Sequence, residues 1–309
     1  MTAIVFPGQG SQFINMSKDF YDNFEIVRNT FGLISETSKI DIKDIIFNNP
    51  SDLLNQTQYT QLAIFCSSIS IFKVIKEEIG LQKMNINFML GHSLGEYSAL
   101  TASEMLSVEN CSSLLKIRGE LMQNAYEPNK TCMAAIIGIN SVIAEKIINQ
   151  NKLNVEIAND NSPTQIVISG IKDDILNSET FFKEGGAKRF ILLNVSAAFH
   201  SQIMSEAEIS MNKYISSIEF KNPLTPIISN FTGKITKDKN NIIKNLSKQM
   251  SNRVRWVESI KSIEIKGETK ILEIGPGKVL SGLIKRISDK FNILNIENIS
   301  DIEKIKNEF

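Results

Sequence analysis

Residues 86–102, INFMLGHSLGEYSALTA, predict a strand, a sharp turn and a helix, and they indicate the chemistry. The first five residues form an apolar run typical of a buried strand, and residues 96–102 favour a helix. Between them, GHSLG matches the G-x-S-x-G pattern of a nucleophile elbow, a sharp strand-to-helix turn that presents a serine at its tip. Free N–H groups at the start of the helix can stabilise a developing oxyanion. The stretch predicts Ser93 as a nucleophile, with an ordinary glycine-bounded turn as the alternative.

Other strands and helices alternate around this turn. A short apolar strand at residues 4–6 ends in the loop 7–12, and apolar residues recur with helical spacing over residues 57–79, before the elbow strand. Two later segments, 226–230 and 270–274, are further strand candidates. Strands separated by helices predict a parallel α/β sheet.

Residues 132–195 follow a different pattern. Four strands are predicted at 133–139, 155–158, 165–169 and 189–195, two helices at 142–148 and 173–183, and a turn at 159–163. This βαββαβ order is that of a ferredoxin-like unit. We therefore expect a ferredoxin-like small subdomain at residues 129–196, inserted into an α/β core made of residues 1–128 and 197–309.

The composition is that of a globular protein with no general charge preference. The 309 residues include 34 basic and 34 acidic side chains, so neither nucleic acid nor an anionic membrane is expected as a partner. The three cysteines, Cys66, Cys111 and Cys132, have no metal-ligand or disulfide spacing, and no apolar stretch reaches about 18 residues. We expect reduced thiols, no metal, a cytoplasmic location and a monomer.

A serine nucleophile needs a base, which is most often histidine. The chain has two histidines. His92 is the neighbour of Ser93, and neighbouring side chains in an elbow point apart, so His200 is the better candidate. A histidine packed at a domain junction is the alternative. No acidic residue between Ser93 and His200 is well placed to complete a triad, which favours a Ser-His dyad oriented by a carbonyl oxygen.

Arg118 interrupts an apolar stripe on the helix predicted at residues 108–125. Leucines precede it by three and four residues, and Leu121 and Met122 follow at the same spacing. A buried guanidinium is costly unless an anion meets it, preferably a carboxylate. Arg118 is thus a candidate receptor for a substrate carboxylate; an internal ion pair or a side chain that reaches solvent would explain it equally well.

Five ordered motifs together are similar to those of one family. They are FPGQGSQ at 6–12, GHSLGEY at 91–97, Arg118-Gly119, SAAFHS at 196–201 and EIGPGKVL at 273–280. In this combination the chain resembles the malonyl-CoA:acyl carrier protein transacylases over nearly its whole length. The resemblance implies an α/β-hydrolase-like core with a ferredoxin-like subdomain, malonyl-CoA and acyl carrier protein as partners, and no cofactor.

The resemblance also implies how the reaction proceeds. Ser93, activated by His200, would attack malonyl-CoA, and the malonyl-serine would then pass its acyl group to the phosphopantetheine thiol of acyl carrier protein, supplying fatty acid synthesis. Arg118 would hold the malonyl carboxylate in this ping-pong transfer.

Four further positions receive roles from the same resemblance. The backbone N–H groups of Gln9 and Leu94 would form the oxyanion hole. A carbonyl of Gln249 would orient the histidine in place of the missing acid. Phe199, next to the histidine, would leave little room for an α-methyl group and so select malonyl over methylmalonyl.

Two other functions remain open from the residues. A serine thioesterase or esterase would share the nucleophile, the base and the oxyanion loop, but Arg118 and the lack of a third acid argue against it. A noncatalytic module that binds carrier proteins would need neither an activated serine nor a buried arginine.

Overall fold

The computed structural model describes residues 2–309, which form ten strands and thirteen α-helices. The strands are β1 Thr2–Phe6, β2 Ile86–Gly91, β3 Thr131–Ile137, β4 Val155–Ser162, β5 Gln165–Ile171, β6 Arg189–Leu192, β7 Ile227–Ile228, β8 Ile235–Thr236, β9 Lys270–Ile274 and β10 Asn292–Ile296. The helices are α1 Lys18–Asn23, α2 Glu25–Ser38, α3 Ile42–Phe47, α4 Thr57–Glu78, α5 Gly95–Ala102, α6 Val108–Gln123, α7 Ser141–Asn151, α8 Lys172–Glu184, α9 Ser205–Ser217, α10 Lys239–Leu246, α11 Trp256–Ile265, α12 Val279–Ile287 and α13 Ser300–Lys306. Two 3-10 segments lie at Pro50–Asn55 and Gln202–Met204.

The larger sheet has six strands in the order β10-β9-β1-β2-β7-β8. All neighbouring strands pair in parallel except β7 and β8, which form a short antiparallel edge. Strand β1 is buried along its whole length, as expected for a strand covered on both faces. The predicted parallel α/β core, of the α/β-hydrolase-like kind, is confirmed.

The smaller sheet is antiparallel, with the order β4-β5-β3-β6. Its elements follow one another as β3-α7-β4-β5-α8-β6, and its two central strands are the first and third of the unit, as in a ferredoxin-like fold. The predicted small subdomain is therefore confirmed as a fold, whereas the division of the chain at residues 129 and 196 stays a prediction.

The predicted turn at residues 159–163 is wrong. Strand β4 continues through Ser162, with irregular register near Ala158 and Asn161, and the reversal occurs at residues 163–164. Local composition favours a turn here because Asn, Asp, Ser and Pro dominate it. A tertiary contact overrides that preference: Val254 donates its N–H to the carbonyl of Ala158 (2.8 Å), and Asp160 donates to the carbonyl of Val254 (3.0 Å).

Helix α4 is the element on which α6 packs, and this packing positions Arg118. It is buried over most of its length, and the neighbouring helix α6 packs against it. The helices approach closely at Gly119, where a Cβ would lie 2.8 Å from the Cα of Gln58. This approach brings Arg118 on α6 beside Gln61 on α4.

Within residues 2–309, no helix combines the length and the apolar character needed to cross a membrane.

Candidate active site

Ser93 occupies a strained turn between β2 and α5. Its φ is +53°, in the left-handed region that side chains other than glycine rarely adopt, and such residues cost about 1–3 kcal/mol and cluster at functional sites. The turn is tight enough that a Cβ on Gly91 would lie 2.0 Å from the carbonyl carbon of Gly95. Gly91 therefore allows the turn to close, and Gly95, where a Cβ would lie 2.2 Å from the carbonyl oxygen of Phe6, allows the turn to lie against the end of β1.

The loop that follows β1 lies against this turn. A Cβ on Gly8 would lie 2.5 Å from the carbonyl oxygen of His92, so only glycine permits the approach. Gln9 from this loop and Leu94 from the turn line the same cavity as Ser93. Neither backbone N–H donates a hydrogen bond within the described residues, which leaves both available to an oxyanion.

The structure brings Ser93 and His200 into hydrogen-bond contact. The distance from Ser93 Oγ to His200 Nε2 is 2.8 Å. On the far side of the ring, His200 Nδ1 lies 2.9 Å from the carbonyl oxygen of Gln249 and 3.2 Å from that of Asn252. Carbonyl oxygens only accept, so Nδ1 carries the proton and Nε2 is free to accept the proton of the serine hydroxyl.

Both carbonyls belong to residues 249–254, which we call the base loop. No acidic side chain contacts the ring of His200 within residues 2–309, and the predicted orientation by a carbonyl of Gln249 matches this geometry. The second carbonyl, of Asn252, was not anticipated, because a backbone carbonyl has no signature in the sequence.

Burial, together with the nearby charge of Arg118, lowers the pKa of His200 to about 3, although the two carbonyl contacts oppose the shift. The ring is therefore neutral at pH 7, the form a general base requires. His92 is also buried, and burial likewise lowers its pKa. Its ring is turned to Asn161 on β4, with 2.8 Å between Nε2 and Oδ1, so it does not contact Ser93.

Arg118 is 1% exposed and points at Ser93. Its Nη2 donates to Ser93 Oγ (3.1 Å) and to Gln249 Oε1 (2.9 Å), and its Nη1 donates to Gln61 Oε1 (2.5 Å). The guanidinium carbon also lies 5.4 Å from the ring centre of Tyr97.

These contacts remove both alternatives considered for Arg118. The side chain does not reach solvent, and no acidic side chain in residues 2–309 forms an ion pair with it. Its Nε is buried and lacks a hydrogen-bond partner among the same residues. Burial lowers the pKa of the guanidinium, since desolvation disfavours the charge. A buried cation whose direct hydrogen bonds are all to neutral groups suits a carboxylate ligand.

The cavity in front of Ser93 has a volume of about 100 Å³. Besides the residues above, its lining includes Met122, Met133, Leu193, Val195 and Phe199. Phe199 is 6% exposed and immediately precedes His200, and both residues line the cavity. In the described residues, no cluster of three or more His, Cys, Asp or Glu side chains could hold a metal ion.

Sequence reasoning missed Gln61, Glu96 and Asn230. Gln61 supports Arg118, and Asn230 accepts a hydrogen bond from the Ser93 N–H through its Oδ1 (2.7 Å). Glu96 is a fully buried carboxylate on the first turn of α5. Only its position inside the apolar helix 96–102 could have signalled it, because a carboxylate there is costly unless it has partners.

The class of the protein follows from a family comparison. The sequence model of the acyl transferase domain matches residues 3–304, nearly the whole chain. The malonyl CoA-acyl carrier protein transacylase of Bacillus subtilis is 35% identical over 305 residues, which cover 97% of this chain and 95% of the relative.

Solved structures agree with that comparison. The acyl-carrier-protein-S-malonyltransferase of Bartonella henselae superposes with a TM-score of 0.95 at 36% identity, covering 99% of this chain and 98% of that one. A malonyl-transacylase solved in complex with its type II PKS acyl-carrier protein gives 0.93 at 32% identity, covering 100% and 99%. This chain belongs to the malonyl CoA-acyl carrier protein transacylase family.

Proposed function

We propose that this chain transfers the malonyl group of malonyl-CoA to the phosphopantetheine thiol of acyl carrier protein, through a malonyl-serine at Ser93. The names of its relatives support this substrate pair, and the complex with an acyl-carrier protein supports the partner. Such a reaction supplies extender units for fatty acid synthesis.

In the first half-reaction, Ser93 Oγ attacks the thioester carbonyl while His200 Nε2 takes the hydroxyl proton. The bond from carbon to Oγ forms, the bond from carbon to sulfur breaks, and His200 returns the proton to the leaving CoA thiolate. The carbonyls of Gln249 and Asn252 hold the Nδ1 proton and stabilise the imidazolium that forms between these steps.

The tetrahedral intermediate carries a negative oxygen that needs donors. The unpartnered N–H groups of Gln9 and Leu94 are assigned to it here. Losing one such donor typically costs about 3–4 kcal/mol of barrier.

In the second half-reaction, His200 deprotonates the phosphopantetheine thiol, whose sulfur attacks the malonyl-serine. The bond to Ser93 Oγ breaks, and the serine regains its proton from His200. The proposed chemistry consists of proton transfers and acyl transfer on side chains of this protein, so it calls for no metal or cofactor.

The observation that carries the proposal is the Arg118 Nη2 contact with Ser93 Oγ at 3.1 Å. A buried cation without an acidic partner next to a nucleophile selects an acyl group that ends in a carboxylate. Malonyl meets that requirement, whereas acetyl leaves the cation unpaired. Phe199, at the wall of the same cavity, is assigned the exclusion of an α-methyl group.

The test is the intact mass of the purified protein after incubation with malonyl-CoA or, separately, acetyl-CoA. We expect a single malonyl adduct, absent in Ser93→Ala, that disappears when phosphopantetheinylated acyl carrier protein is added and reappears on the carrier. Acetyl-CoA should give little adduct.

Two results would contradict the proposal. An adduct that decays to free malonate at the same rate with and without carrier would indicate a thioesterase. Absence of any adduct from either thioester would favour a noncatalytic module that binds carrier proteins.

The three cysteines are free, in keeping with a cytoplasmic location, which remains a prediction.

A further inference from the structure

The proposed reaction leaves one buried acidic group near Ser93 without a role. Glu96 lies one helical turn after Ser93, and its side chain is completely buried. Its Oε2 accepts two hydrogen bonds, one from the backbone N–H of Asn230 (3.1 Å) and one from Gln249 Nε2 (2.7 Å). Its Oε1 has no hydrogen-bond partner within residues 2–309.

The first of these partners spans the strained turn. Asn230 accepts from the Ser93 N–H through Oδ1 (2.7 Å) and donates through Nδ2 to the carbonyl of Gly91 (2.7 Å). A single amide therefore holds the backbone on both sides of His92, and its own position depends on Glu96.

The second partner contacts three members of the site. Gln249 Nε2 donates to the carbonyl of Ser93 (2.9 Å), and its Oε1 accepts from Arg118 Nη2 (2.9 Å). Its backbone carbonyl accepts from His200 Nδ1 (2.9 Å). Movement of Gln249 would therefore change the positions of the nucleophile, the base and the carboxylate receptor together.

We propose that Glu96 is the positioning residue of this site: its Oε2 fixes Asn230 and Gln249, and through them Ser93, His200 and Arg118. This proposal rests on the proposed function, because that function defines the reaction for which these groups must be positioned. A misplacement of reacting groups by about 1 Å can cost about 100-fold in rate.

The role assigned to Glu96 depends on the length of its side chain and on its ability to accept hydrogen bonds, not on its charge. Burial raises the pKa of its carboxyl to about 7, with the hydrogen bonds from Gln249 and Asn230 and the charge of Arg118 opposing the shift. A neutral carboxyl protonated at Oε1 still accepts both hydrogen bonds at Oε2. An amide oxygen at the same position can do likewise, whereas a carboxylate one methylene shorter falls short of both donors.

Three variants separate these properties. Glu96→Gln keeps the length of the side chain but removes the ionisable carboxyl group. Glu96→Asp keeps the carboxyl group but shortens the side chain by one methylene, and Glu96→Leu removes the hydrogen-bond acceptor. Glu273→Gln is the matched control, because Glu273 is also fully buried and accepts hydrogen bonds from Leu280 and Ser281, away from the site. For each protein, the rate of malonyl-adduct formation and the Tm are measured.

We expect Glu96→Asp and Glu96→Leu to lose about 100-fold in acylation rate, and Glu96→Gln to lose no more than about fivefold. Glu273→Gln should lower the Tm and leave the rate unchanged. If Glu96→Leu does not fold, the comparison of the Asp and Gln variants decides. Equal acylation rates in the Asp and Gln variants, or a lower rate in the Gln variant than in the Asp variant, would overturn the proposal.

A fluorophosphonate probe that labels activated serines provides a readout independent of malonyl-CoA. If the wild-type protein forms no malonyl adduct, the proposed function fails, but the order of labelling rates still tests Glu96. Labelling of the Asp variant at the wild-type rate would then refute the positioning role.

Discussion

The elbow at residues 91–95 and the base loop at residues 249–254 hold the two halves of the proposed Ser-His pair by different means. The elbow has a local determinant, since Gly91 lets the backbone close on itself around Ser93, and Asn230 adds two hydrogen bonds from outside the turn. The base loop is specified by distant contacts: Ser251 donates to Glu208 on α9, and Val254 pairs with β4 of the small subdomain. A sequence motif marks the first kind of structure but not the second.

Removal of either reacting side chain should have the largest effect. We expect Ser93→Ala and His200→Ala each to lower the transfer rate by about 10⁴-fold or more, and the double variant to fall no further, because residues that act as a unit are not additive. Ser98→Ala, in the buried helix that follows the elbow, is the control. Steady-state transfer to carrier measures all four; additive losses would mean that the two residues act independently.

Arg118→Ala should change selectivity by about 100-fold, from the loss of a charge-assisted, buried contact with the carboxylate. The malonyl rate is expected to fall and the acetyl rate to stay level or rise. The measurement is the ratio of kcat/KM for the two thioesters. A proportional loss of kcat/KM with both thioesters would indicate that Arg118 stabilises the fold and does not select the malonyl group.

Loosening the base loop should have a smaller effect. Glu208 is buried on α9 and its Oε2 accepts from the N–H (2.9 Å) and hydroxyl (2.7 Å) of Ser251. Glu208→Ala is expected to slow acylation by about tenfold through displacement of His200, with Glu206→Ala, exposed on the same helix, as the matched control. An unchanged rate in the folded Glu208 variant would show that the two carbonyls need no support from this contact.

Phe199→Ala should raise the methylmalonyl-to-malonyl rate ratio by about tenfold, which is in the range for one methyl group in an apolar pocket. Paired assays with the two CoA thioesters measure it. A fall of both rates without a change of ratio would assign Phe199 to packing beside His200 alone.

The smallest expected effect concerns the protonation of the two histidines, which tests whether His200 is neutral as a general base must be. With two histidines in the chain, NMR can follow each ring. His200 should stay neutral from pH 7 down to pH 5, because its burial and the charge of Arg118 lower its pKa to about 3, and His92 should titrate below its ordinary pKa because it is buried. Arg118→Ala should raise the pKa of His200, because the charge of Arg118 lowers it in the wild type, and should leave the pKa of His92 unchanged. Protonation of His200 near pH 6.5 in the wild type would contradict the effect of its burial.

Two of the residues predicted from the sequence have chemistry that is unusual for their surroundings, whereas His200 follows by elimination and Gln9, Leu94, Gln249 and Phe199 follow from the family resemblance. Ser93 lies between glycines, and Arg118 interrupts an apolar stripe, so each contrasts with its neighbours. Glu96, Gln61 and Asn230 act through ordinary hydrogen bonds to groups distant in sequence, which no local pattern records. Their roles stay predictions.

The same reason explains why the turn predicted at residues 159–163 is wrong. Local propensity there is correct for an isolated segment, but Val254 supplies strand-like partners to Ala158 and Asp160. Secondary structure that depends on a partner about 95 residues away cannot be predicted from short-range composition.

The pairing of β4 with the base loop also links the two sheets mechanically. Val254 is bonded to the small subdomain on both its N–H and its carbonyl, and it follows Asn252, whose carbonyl holds His200, by two residues. The small sheet therefore helps to fix the general base, because the loop whose carbonyls hold His200 is itself hydrogen-bonded to β4.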